Sequence, residues 1–288
     1  MKGPWKFATV AAGVVLVSAL LAPPLHAVLP YPFPRVFRRL LMINAIIAAA
    51  VFVRLRRETL VRYGMAWKPD SVCHLGAGFL AGIGGLAAFA LLSVATGHAE
   101  LAIRQVPALY WAERIAGGVL TGVLIGVLEE ILFRGFVFTS VRDSMTRGRA
   151  LPAMAVTSLL YAVLHVLQIG QPTISANPGF ADGLKLALAP LRSLADGTAA
   201  WPSFVGLFLF GTILNLALVR TGSLYPSIGL HAGCVSFLRI MGLFFRFDPS
   251  NTWLWSTKRV YDGAMGWVFL LLIGGLLIAR LKRTGGNT

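Results

Sequence analysis

The sequence predicts an all-α, polytopic integral membrane protein with about eight transmembrane helices. Three observations predict this. The chain of 288 residues is 57% hydrophobic and only 13% charged, whereas a soluble domain is usually about 25% charged. Its mean hydropathy is +0.74. Its apolar residues also fall in repeated long runs, separated by short segments rich in Pro, Gly and Arg, as a hydrocarbon layer about 30 Å thick requires.

Residues 7–29 form the first run, after Lys2 and Lys6. A basic start, an apolar stretch and then Pro23, Pro24 and Ala27 also fit a signal peptide. The run is long enough to span and its small-x-small cleavage pattern is poor, so a retained helix is expected. Arg35, Arg38 and Arg39 sit in a proline-rich loop before the second span, residues 40–53, extended backward toward Val36. Arg54, Arg56, Arg57, Arg62 and Lys68 are the densest basic segment, which the positive-inside rule assigns to the cytoplasm. The third span, 72–96, has His74 near its entrance, read as an interfacial or packing histidine. The fourth runs from about 113 to 140, and after Arg142, Arg147 and Arg149 the fifth covers 151–169.

Residues 170–202 make the longest polar connection. Within it, 180–194 is expected as a surface helix interrupted at Pro190. The sixth span, 203–219, leads through a tight turn at 220–223 into the seventh, 224–245. The loop 246–263 carries Trp253 and Trp255, which suit the aromatic belt of a membrane interface, and the eighth span is 264–279. The chain divides into N-terminal helices with a basic juxtamembrane segment (1–60), a core (61–245), and a last loop and helix (246–288). Eight spans put both termini on the cytoplasmic side of a multi-pass protein, and the compact loops suit a bacterial inner membrane.

The net charge is +15. Most Lys and Arg lie between apolar runs, where they set topology and anchor to anionic lipid. No basic stripe with interleaved aromatics marks a nucleic-acid surface. The two cysteines, Cys73 and Cys234, form no C-x-x-C and no disulfide framework.

Against this background one stretch stands out, residues 117–134, G-G-V-L-T-G-V-L-I-G-V-L-E-E-I-L-F-R. Of eleven acids in the chain, only Glu129 and Glu130 fall well inside a span, and a charge there costs about 2.5–3.5 kcal/mol on insertion scales. Glu130 and Arg134 are spaced i, i+4 and can pair on one helix face. Glu129 points about 100° away from Glu130. Gly118, Gly122 and Gly126 lie toward the same side as Glu129 and allow a neighbouring helix to approach closely. Glu129 is therefore expected to face a packed interface or a cavity rather than lipid. A structural ion pair, a proton or ion relay, and a general base all fit these three charges.

Two histidines inside spans add to the constellation. His165 lies one turn after Tyr161 and two turns after Ser158, and His231 lies one turn into the seventh span, with Cys234 and Val235 beyond it. Counting along the spans puts Glu129, His165 and His231 well inside the membrane, somewhat toward the half that carries the basic segment, so a convergent site is geometrically possible.

At this point the residues resemble a known family. E-E-I-L-F-R (129–134) is similar to the E-E-x-x-x-R motif of the CPBP family, the ABI or type II CAAX-prenyl-endopeptidases. S-L-L-Y-A-V-L-H (158–165) resembles its second motif, and R-T-G-S-L-Y-P-S-I-G-L-H (220–231) its third. Upstream, R-Y-G-M-A-W-K-P (62–69) resembles the family's juxtamembrane segment. The resemblance covers about residues 60–240. It implies an eight-helix intramembrane endopeptidase acting on a membrane-associated protein or peptide. Glu129 with His165 would activate water, and His231 would stabilise the oxyanion, with Glu130, Arg134 and Tyr161 in support. It leaves open a metal-free glutamate mechanism and one using a divalent metal such as zinc held by Glu129, His165 and His231. No H-E-x-x-H of a site-2-type zinc protease and no G-x-S-G of a rhomboid is present. One departure matters: the family usually has Asn or Asp four residues after the last histidine, and here that residue is Val235. Asn215, on the sixth span, is the candidate substitute. The rival reading is a non-catalytic scaffold or immunity protein of the same fold, or a proton-coupled transporter using Glu129.

Overall fold

The computed structural model describes residues 4–166, 173–195, 201–248, 253–257 and 259–281. In a bilayer core every backbone N–H and C=O must be satisfied within the segment, which leaves helices as the way for such runs to cross. The apolar runs accordingly form α1 (Pro4–Val28), α2 (Phe33–Leu55), α3 (Ser71–Ala95), α4 (Ala108–Glu130), α5 (Thr139–Ser144), α6 (Ala150–Val166), α7 (Phe180–Ala195), α8 (Trp201–Thr221), α9 (Tyr225–Ile240) and α10 (Ala264–Arg280). Leu80, Leu120 and Leu276 point outward from the middle of three of these helices and are 70%, 61% and 68% exposed, the position of lipid-facing side chains.

Among the described residues five helices are long and apolar enough to cross a membrane: Thr9–Val28, Phe33–Leu55, Ser71–Ala95, Ala108–Ser144 and Trp201–Thr221. The many-helix membrane architecture holds, but the count of eight full-length spans does not follow from it. Helices stand at the other three expected positions, yet α6 and α10 have 17 residues and α9 has 16. At about 1.5 Å per residue they reach only about 25 Å. The tail of the fifth expected span (167–169) lies outside the described residues.

Three local features depart from the sequence expectation. Two loop segments pair as an antiparallel ribbon, β1 (Ala99–Leu101) with β2 (Phe245–Phe247), in the register Ala99↔Phe247, Glu100↔Arg246, Leu101↔Phe245. Three residues are too few to show an alternating pattern. The rod that begins with α4 passes into α5 through a π-helical segment, Ile131–Phe138. The surface helix α7 also runs through Pro190 to Ala195, because a proline removes one backbone bond without necessarily ending a helix. The start of α7 is held by Asp182, whose carboxylate accepts from Gly179 N–H (3.0 Å), Lys185 Nζ (3.0 Å) and Ser175 Oγ (3.1 Å). These bonds, the Gly179 one foremost, hold its carboxyl down at about 2.

α9 is the centre of the molecule. It runs between α3 and α4 at backbone contact, and glycine makes both approaches possible. On one side Gly78 and Gly82 of α3 mate with Gly229 and Gly233 of α9: a Cβ at Gly82 would stand 2.6 Å from the Leu230 carbonyl, and one at Gly233 2.2 Å from the Phe79 carbonyl. On the other side a Cβ at Gly122 of α4 would stand 2.1 Å from Ser236 Oγ and 2.6 Å from the Ala232 carbonyl. A core including Leu86, Phe89, Tyr161, Leu214 and Leu230 joins α3, α6, α8, α9 and α10. A smaller one around Ala19, Ala22, Phe33 and Phe37 holds α1 and α2, with Leu184, Leu186 and Ala187 of α7 packed against it.

The juxtamembrane segment 62–69 docks on the turn between α8 and α9. Leu224 N–H donates to the Gly64 carbonyl (2.9 Å), and the Tyr225 hydroxyl donates to that of Met65 (3.4 Å). Gly64 adopts φ +77°, a conformation that disfavours residues with a Cβ. Arg62 bridges Glu58 (2.8 Å) and Asp143 (2.6 Å). Two stretches 160 residues apart in sequence thus fix the entry of α9.

Candidate active site

The site grows from the glycine stripe of α4. Gly118, Gly122, Gly126 and Glu130 recur every four residues and are all buried. The stripe that admits α9 therefore ends in a carboxylate pressed against it. Glu130 Oε1 accepts from Arg134 Nη1 (3.0 Å), as the i, i+4 spacing predicts, and also from His231 Nδ1 (2.8 Å). A carboxylate paired with a guanidinium can only accept, so His231 carries a proton on Nδ1. The Arg134 guanidinium lies over the Tyr161 ring, 4.4 Å from its centroid. Arg134 is in the π-helical segment, a local widening that recurs at functional sites.

Glu129 leaves the stripe and faces a cavity of about 490 Å³. His165 and His231 line the same cavity from α6 and α9. His165 Nδ1 bonds to the Tyr161 carbonyl (2.8 Å), which can only accept, so Nδ1 donates. Its Nε2 then stands 3.2 Å from Glu129 Oε2. A bare imine nitrogen and a carboxylate oxygen would both be acceptors, so a hydrogen bond there needs one proton, held on Nε2 or on Oε2. His231 Nε2 lies 3.9 Å from the same oxygen. Two histidines, from α6 and α9, thus converge on Glu129 Oε2 of α4.

The supporting residues divide. Tyr161 lines the cavity and its ring packs on His165, centroids 4.0 Å apart. Asn215 does not line it: its amide nitrogen donates to Thr157 Oγ1 and Ser158 Oγ, both at 3.0 Å, and it pins α8 to α6 instead of standing in for the missing group near His231. Val235 does line the cavity, so an apolar side chain occupies the wall where the resemblance implies a donor. The direction of opening is one that the sequence left undetermined. The cavity reaches Leu238, Met241 and Val260, at the end of the spans opposite the basic segment 54–68. Counting residues locates depth along a helix but not the side on which the packing is open. Arg239, Phe210, Arg259 and Tyr261 line the site too, and nothing in the sequence pattern singled them out.

No group of three or more His, Cys, Asp and Glu side chains suited to hold a metal ion occurs among the described residues. Each histidine spends Nδ1 on a protein acceptor, and Glu129 is in direct contact with His165. Both Nε2 atoms turn toward Glu129 Oε2, the orientation that a metal-bound histidine with its Nδ1 engaged also has, so the site is compatible with metal-free and with metal-assisted hydrolysis.

The family model described as type II CAAX prenyl endopeptidase Rce1-like matches residues 111–237, from the first turn of α4 to the last of α9, the span that holds all three motifs. No curated protein and no solved structure matches.

Proposed function

We propose that this chain, which belongs to the CPBP family by its residues 111–237, hydrolyses a peptide bond in a membrane-associated protein or peptide without a metal. The observation that carries the proposal is the convergence of His165 Nε2 and His231 Nε2 on Glu129 Oε2 beside a cavity. A water held between Glu129 and His165 loses a proton to the carboxylate while its oxygen attacks the substrate carbonyl. The new C–O bond turns the carbonyl into an oxyanion, which the protonated His231 Nε2 stabilises from the other side of the cavity. The C–N bond then breaks as the proton on Glu129 passes to the leaving amine. Glu130 holds His231 by its Nδ1 and Arg134 holds Glu130, so both act as positioning residues.

The test is a processing assay in detergent or liposomes with Glu129→Ala and His165→Ala. Both variants are expected to lose cleavage; unchanged cleavage in both would sink the catalytic assignment. Cleavage is also expected to survive dialysis against a chelator, and loss restored by zinc would replace the metal-free scheme. The rival reading, a non-catalytic member of the fold, is favoured by one observation, Val235 in the cavity wall.

A further inference from the structure

The mouth of the reaction cavity opens into a second, larger one of about 990 Å³. The two share Leu238, Arg239, Met241 and Arg259, so a chain entering the first by this mouth crosses the second. Five arginines from five segments surround this vestibule: Arg104 after β1, Arg114 on α4, Arg239 on α9, Arg246 on β2 and Arg259 before α10. Acids in its lining are few. Asp262 is occupied, accepting from the N–H (2.9 Å) and hydroxyl (2.5 Å) of Thr257, and Asp248 is not free. Arg246 pairs with Glu100 across the ribbon. The guanidinium groups of Arg104, Arg114, Arg239 and Arg259, all exposed, have no hydrogen bond or ion pair among the described residues.

The floor of the vestibule is of the other kind. Leu238 and Met241 lead from it into a cavity walled by Leu86, Leu207, Phe210 and Leu270. A cationic rim over an apolar throat is complementary to a chain that is apolar at the point of cleavage and acidic a few residues away. Arginines that only meet lipid phosphate have no need to ring a concavity ending at a carboxylate and two histidines.

We infer that the substrate is such a peptide, with Asp or Glu side chains close to the scissile bond, and that Arg239 and Arg259, which line both cavities, hold those carboxylates. This rests on the endopeptidase reading and names its substrate class.

The experiment measures binding, so it is independent of turnover. The full-length Glu129→Gln protein in neutral detergent is titrated with two apolar decapeptides amidated at the C-terminus, one carrying two Glu and the other two Gln at the same positions. The Glu peptide is expected to bind about tenfold more tightly. The preference should fade as salt rises and be absent in R239Q/R259Q and weaker in R104Q/R114Q. Gel filtration and thermal unfolding of each variant separate loss of binding from loss of fold. Equal affinity for the two peptides, a preference that survives R239Q/R259Q, or tight binding only with a free C-terminal carboxylate would each overturn the inference. So would arginine-dependent binding of phosphatidylglycerol without any preference for the Glu peptide. Failure of the endopeptidase reading shows separately, as absence of cleavage by the parent protein in the processing assay.

Discussion

Glu129 and Glu130 are neighbours in sequence and sit in opposite circumstances. Glu130 is fully buried where α4 meets α9, with Oε1 bonded to Arg134 and His231. Glu129 is partly open to the cavity and shares one oxygen between two histidine Nε2 atoms at 3.2 and 3.9 Å. The closed half of the cluster is a fixed network in which further movement would leave charges unpaired. The open half has the space that a reactant needs. The comparison teaches that two identical side chains acquire different roles from a single step of helical rotation, because one step carries the second carboxylate out of the cavity and into a helix seam.

The largest expected effect lies on the open half. Glu129→Gln should lower turnover by about 10²- to 10⁴-fold with little change in unfolding temperature, because the side chain borders space that solvent can fill. Next comes the closed half. Glu130→Ala and Arg134→Ala should each cost about 3–5 kcal/mol of stability, since each leaves a buried charge without its partner. Replacing both residues with apolar ones should cost less than either single change, as measured by thermal unfolding in detergent. A Glu130→Gln protein as stable as the parent but as inactive as Glu129→Gln would dissolve the distinction between the halves.

A smaller effect tests the seam that produces the distinction. Gly122→Val puts a branched side chain against Ser236 and the Ala232 carbonyl, and overpacking of this kind costs about 1–3 kcal/mol. Activity should fall with it as α9 moves and withdraws His231. Gly84→Ala, at a position with nothing within 4 Å of a new Cβ, is the control expected to leave both unchanged. The smallest change is Val235→Asn. In a protease weakened at the oxyanion it should raise turnover, up to about tenfold, by adding one donor to the cavity wall. Absence of proteolysis before and after would favour the scaffold reading.

Much of this was legible in the chain. The helical membrane architecture followed from apolar runs, and the Glu130–Arg134 pair from i, i+4 spacing. Glu129, His165 and His231 stood out because ionisable groups inside a span are costly. The bond from His231 to Glu130, the ribbon, the π-helical segment and the arginine vestibule were not legible. Each joins residues through contacts that leave no periodic trace, such as Arg104 and Arg259 brought to one rim. Asn215 shows the reverse error: a polar residue at a suggestive depth is spent on Thr157 and Ser158, because its face of α8 meets α6.

By itself the sequence determined which groups are expensive to bury and which faces are small enough to mate, since both depend on composition and local helical geometry. Only the tertiary structure decided that a cavity forms beside Glu129, at which end that cavity opens, and that Val235 forms part of its wall. These depend on the mutual placement of α3, α4 and α9, where glycine lets backbones meet at a depth and rotation that no single helix specifies.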